Sequence, residues 1–185
     1  MWGIINMPKE QAKYFWLGIP ILFVAGSLFH FLYGLSGEVF AVGIFAPVNE
    51  SIFEHTKLFP LPTIIWYGLI HLSHKEKINA DPWYTAALLS IVTQISGMVL
   101  LYYFYLGAFG IKLLAVDITI FLVSVCIGQV TGLQYYLHSK GVNYCLSLSL
   151  IFAILFVYAI LTIYPPHLPI FLDPITDTYG IYGLK

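Results

Sequence analysis

Long runs of apolar residues alternate with short polar breaks along this chain, and the lengths of the runs set the architecture. The run from Tyr14 to Tyr33 is close to the roughly 20 residues a bilayer-spanning helix needs. Further runs follow at about 49–72, 83–106, 111–137 and 144–163. Between them lie the breaks 34–46, the polar loop "SHKEKINADP", the tight connection 107–110 and "HSKGVN". The apolar part of the first break, "VFAVGIF", is too short to cross. Pro60 and Pro62 fall inside the second run and predict a kink there. After residue 163 the pattern changes. Pro165, Pro166, Pro169 and Pro174 exclude a regular helix from the tail, 164–185. The expectation is one all-α integral membrane domain over residues 1–185: a bundle of about five transmembrane helices with a non-helical, Pro-rich C-terminal tail.

Composition supports a chain dissolved in lipid. Of its 185 residues 59% are hydrophobic and 9% charged, against about 25% charged in soluble domains. The mean hydropathy is +0.86. Arg is absent, so no basic face exists to neutralise phosphates, and nucleic acid is excluded as a partner. The partner this composition demands is the bilayer itself. Cys126 and Cys145 lie inside apolar runs without metal-binding spacing and read as small buried hydrophobes. The Lys residues are asymmetric. Lys9, Lys13, Lys75, Lys77 and Lys140 fall on one side of a five-span arrangement, and Lys112 and Lys185 on the other. By the positive-inside rule the N-terminus is cytoplasmic and the C-terminus outside.

That orientation gathers the rare ionisable residues at one membrane face. His30 ends the first run, Glu50 and Glu54 begin the second, Asp117 lies near the start of the fourth, and His167 and Asp173 lie in the tail. Ionisable groups in membrane helices are costly and usually face a cavity or one another. If the second run is helical from Asn49, then Glu50, Phe53, Glu54 and Lys57 share a face at i, i+3, i+4 and i+7. Lys57 can pair with Glu54. His55 stands on another face with Ser51 and is expected to meet a different partner. A plainer alternative is that Asn49 or Ser51 caps the helix and "SIFE" is a capping box. In the fourth run Asp117, Ser124, Gly128 and Thr131 form a small-and-polar stripe suited to helix packing or a cavity wall.

Imidazole and carboxylate without thiolate suit Zn, Mn or Fe. The expected metal ligands are His30, Glu50, Asp117 and His167, with Glu54 as the general base on a bound water. Asn49, His55, Lys57 and Asp173 are expected to support them. The leading functional expectation is a membrane-embedded, metal-dependent, hydrolase-like enzyme acting on a lipid or small molecule. A small transporter, channel or ion-binding protein is the alternative, and a structural or partner-binding membrane protein the third. No G-x-S-x-G elbow occurs, which disfavours covalent catalysis.

Two stretches, "APVNESIFEHTK" and "PPHLPIFLDPITDTYG", resemble those of a family of small bacterial multi-pass membrane proteins classed as a domain of unknown function. The resemblance covers nearly the whole chain. It implies a multi-pass protein of the bacterial cytoplasmic membrane and no particular activity. "SLFH", Asp117 and His167 are similar in residue type to the zinc ligands of membrane hydrolases of the alkaline ceramidase and adiponectin-receptor type. Five expected spans rather than seven, the spacing of Ser27 and His30, and the absence of paired histidines on a last helix depart from that pattern. No residue role is carried over from it.

Overall fold

The computed structural model describes residues 9–184. A 3-10 turn, Lys9–Gln11, leads into α1 (Ala12–His30). Two short helices, α2 (Leu32–Leu35) and α3 (Phe40–Gly43), occupy the first break. Then come α4 (Ile52–Thr56), α5 (Pro60–Ser73), α6 (Ala80–Phe109), α7 (Leu114–His138) and α8 (Tyr144–Ile163). The tail forms a 3-10 turn, Pro169–Phe171, and a two-stranded antiparallel hairpin, β1 (Leu172–Asp173) with β2 (Thr178–Tyr179).

Four of these helices, α1, α6, α7 and α8, are long and apolar enough to cross a membrane. The expected second span is not one helix. It breaks at 57–59, and its longer piece, α5, has 14 residues, roughly 21 Å of rise against a hydrocarbon core of about 30 Å. The break has a local cause. Pro60 has no N–H to give the carbonyl of Thr56, and its ring clashes with a continuing helix, so it starts α5 instead. Two prolines therefore do more than kink this segment. At its other end Ser51 is extended (ψ 152°) and its hydroxyl accepts from the Glu54 N–H, so α4 begins at Ile52 and not at Asn49.

Small residues let the helices close on one another. The α6–α7 seam passes over Gly128, where a β-carbon would lie 2.3 Å from the Gln94 side chain. The buried stripe of α7 runs through Ser124, Gly128 and Gly132; Thr131, expected in it, is only half-buried. One end of the bundle is filled by Phe15, Tyr67, Trp83 and Tyr136, whose rings meet largely edge to face. The middle is filled by Leu22, Phe59, Met98 and Phe121. Cys126 is half-buried, whereas Cys145 is exposed on the first turn of α8 rather than buried.

The hydrogen bonds define the two ends of the bundle. At one end Gln11 donates to the Lys77 carbonyl, and Asp81 accepts from the Tyr144 N–H. At the opposite end the close of α1 meets the start of α4. The tail folds back over that second end. Phe171 packs on Phe53 with ring centroids 4.4 Å apart, and the Ile181 N–H donates to the last-turn carbonyl of Thr162. Gly180 makes this docking possible: its φ is +63°, and a β-carbon there would stand 2.7 Å from that carbonyl.

Candidate functional site

Because α4 starts late, Glu50 lies outside the helix and is free to turn toward α1. There it meets two imidazoles. His30 Nε2 and His55 Nε2 are 3.1 Å apart. Glu50 Oε1 lies 3.7 Å from His30 Nε2, and Glu50 Oε2 lies 3.4 Å from His55 Nε2. One ligand atom from each residue falls within 4.8 Å of the others. The pocket beside the group stays open, and the Glu50 side chain is 42% exposed.

The second nitrogen of His55 fixes the chemistry. Its Nδ1 is 2.9 Å from the Ser51 carbonyl. A carbonyl only accepts, so Nδ1 carries the proton and Nε2 points at the cluster. In the neutral ring Nε2 is a lone pair. It faces the Glu50 carboxylate and His30 Nε2, which in a neutral ring can carry the proton and donate to both; a cation can also take that proton's place among the three groups. The two histidines hold the Glu50 carboxyl well below the usual carboxylate range, with His30 the larger influence.

The spacing also suits a metal. An ion with bonds near 2.05 Å sets tetrahedral ligands roughly 3.3 Å apart, within the observed span of 3.1 to 3.7 Å. Two His and one carboxylate form a donor set known for Zn²⁺ and Fe²⁺ with positions left open. The Nδ1–carbonyl bond of His55 is the outer-shell contact that metal-bound imidazoles normally make.

One turn further along, Glu54 and Lys57 are partnered very differently. Their charged ends are 2.7 Å apart, and each side chain is 2% exposed. Glu54 Oε2 also accepts from the Val48 N–H and Oε1 from the Thr162 hydroxyl. Lys57 Nζ donates to the carbonyls of Gly43 and Ala46. The pair thus ties α3, the 44–48 loop, α4 and α8 together. The expected face-sharing of Glu50 and Glu54 does not occur, and neither oxygen of Glu54 is free toward the cluster.

The remaining expected residues divide. Asp117, in the first turn of α7, stands near enough to feel the charges of His55 and Lys112, and its buried Oδ1 has no partner among the described residues. His167 stacks on Tyr179, ring centroids 4.7 Å apart, and is not part of the three-residue group. Asp173 is buried in the hairpin, where it accepts from the Ile175 N–H and the Thr176 hydroxyl. Asn49 accepts from the Ser51 N–H and reaches the Gly180 carbonyl at 3.4 Å, pinning the tail. His55, expected only in support, is central. The signal for it was present: reading Ser51 as the cap, with Glu54 three residues on, leaves Glu50 outside the helix and able to reach His55.

Four apolar helices of spanning length, with a His/Glu cluster where α1 and α4 meet, fit a multi-pass helical membrane protein. Within that class the chain belongs to the DUF6512 family, a family of unknown function whose model matches residues 4–181. No curated protein and no solved structure matches the chain.

Proposed function

We propose that the protein is a membrane-embedded, metal-dependent enzyme of the hydrolase type, with a divalent ion held by His30, Glu50 and His55. The observation that carries this reading is the convergence of three ligand atoms within 4.8 Å, with the His55 tautomer set by the Ser51 carbonyl. Three protein ligands leave a position for water, whose proton a bound divalent ion makes easier to remove. Asp117 takes the role of general base in place of Glu54, because its Oδ1 lacks a partner whereas Glu54 is fully engaged. The α4–α5 segment acts as the fifth crossing, broken near one face. With the Lys asymmetry, the cluster opens on the extracytoplasmic side of the cytoplasmic membrane.

Elemental mass spectrometry of protein purified without chelators tests this. Near-stoichiometric Zn, Mn or Fe, lost in Glu50→Gln and His55→Ala, is the expected result; folded wild-type protein free of metal overturns it.

A second reading, a small transporter or ion-binding protein, rests on the bundle interior. Gln94 and Gln129 are buried between α6 and α7, and Gln94 Nε2 and both Gln129 amide atoms lack partners among the described residues. Unpartnered amides at such depth suit a hydrated path. Cation- or proton-driven flux into liposomes, abolished by Gln129→Leu, is the result this reading requires.

A further inference from the structure

One face of α6 carries two adjoining hollows. The larger, about 640 Å³, is an apolar groove between α6 and α8. Leu88, Val92, Ile95 and Val99 form its α6 wall, and Leu150, Ile154 and Val157 its α8 wall. The smaller, about 140 Å³, is lined by Tyr102, Tyr103 and Leu106 of the same helix, together with Glu50 and Lys112. Positions 88, 92, 95, 99, 102 and 106 follow one another at intervals of four and three, so they form a single stripe along α6. Ile52 and Pro169 border the small pocket, and their neighbours Phe53 and Ile170 border the groove. The two hollows are therefore successive stations along one helix, the lower apolar and the upper mixed, with Glu50 and Lys112 as its charged members.

Their dimensions and charges select an occupant. From Leu88 to Val99 the helix rises roughly 16 Å, close to half of a hydrocarbon core about 30 Å thick. That is the depth of one leaflet, the length of one acyl chain. At the upper station Lys112 makes no salt bridge among the described residues; its ammonium lies 5.7 Å from the centre of the Tyr102 ring. The Glu50 carboxylate in the same pocket is turned toward His30 and His55. A cation at that cluster and Lys112 then flank the pocket from two sides and favour a negatively charged group between them.

We infer that this face of α6 binds an anionic phospholipid, one acyl chain in the α6–α8 groove and the phosphate between Lys112 and the His30–Glu50–His55 cluster. The headgroup half of this inference rests on the metal reading above, and it assigns that site a substrate class: a phosphate-bearing lipid of the same leaflet. The groove half stands on shape alone.

The test is native mass spectrometry of the full chain in detergent, offered dioleoyl phosphatidylglycerol, dioleoyl phosphatidylcholine, dioleoylglycerol or inorganic phosphate. Metal content is measured on each preparation. Wild-type protein is expected to retain phosphatidylglycerol at least about fivefold over phosphatidylcholine and dioleoylglycerol, and inorganic phosphate is not expected to displace it. Lys112→Gln, an exposed change, should erase the preference for the anionic lipid while leaving metal content unchanged. Ala153→Trp, which fills the groove from its α8 side, should reduce retention of all three lipids. Equal retention of the three by wild type, or an undiminished preference in Lys112→Gln, overturns the inference even if the metal is present. A Lys112-dependent preference in metal-free protein would instead sink the metal reading and leave lipid binding standing.

Discussion

Glu50 and Glu54 are four residues apart and have opposite fates. Glu54 is sealed in, with Lys57, the Val48 N–H and the Thr162 hydroxyl taking its oxygens. Glu50 is half-exposed and faces the Nε2 atoms of two imidazoles, 3.7 and 3.4 Å from its oxygens. The first arrangement has every charge matched and leaves nothing to add. The second is open to solvent and has donor atoms of three residues close enough to share one cation. A buried, fully matched pair locks a fold; an open, electron-rich cluster is where a ligand can act.

The largest expected effect breaks the closed side of this contrast. Lys57→Met leaves the Glu54 charge buried alone and should cost about 3–5 kcal/mol, seen as a large fall in Tm in detergent. Glu54→Gln added to Lys57→Met should restore much of it. Glu50→Gln makes the opposite cut. It should lower metal affinity by at least about 100-fold, since loss of even an outer-shell contact costs 10–100-fold, and should lower the Tm of metal-free protein far less than Lys57→Met does. Thr162→Val is a smaller probe of the closed side. It removes one hydrogen bond to a charged oxygen and should cost about 1.5–3 kcal/mol.

Acidity sharpens the comparison further. The lowered Glu50 pKa stabilises above the unfolded carboxylate value of about 4.3 and is lost only as pH falls through its own depressed value. Metal-free protein should therefore keep the Glu50 contribution from pH 5 to pH 9 and lose it only in strong acid. Metal binding should strengthen as pH rises through the histidine range, because a bound ion needs neutral imidazoles. Melting curves with and without added Zn²⁺ from pH 5 to pH 9 should diverge as pH rises. The smallest effect belongs to His167→Ala: it removes a ring stacked on Tyr179 and should leave metal content unchanged, with stability moved by about 0.5 kcal/mol.

Much of this architecture was legible in the chain, for a physical reason. A helix in lipid must satisfy its own backbone, so run length alone locates it. The expected 144–163 coincides with α8, and 83–106 lies within α6. The second run failed because composition does not show where a helix stops. Pro60 ended one piece and began another, and Ser51 moved the start of α4 past Glu50. That shift of register separated Glu50 from Glu54 and paired it with His55. His30 and Glu50, which the structure brings together with His55, stood out in the sequence because ionisable residues are rare here and fell at the same end of two runs. The stacking of His167 on Tyr179 and the capture of Asp173 by its own hairpin depend on how the tail folds back, which no periodicity records.

The central claim is that the open cluster holds a divalent ion and the closed pair does not take part. The most direct measurement is metal stoichiometry of the detergent-purified protein, prepared without chelators, for wild type, Glu50→Gln and the Glu54→Gln/Lys57→Met double variant. The account predicts about one ion per chain in wild type and in the double variant, and none in Glu50→Gln. Folded wild-type protein without metal, or metal that survives Glu50→Gln and disappears from a folded double variant, would contradict it.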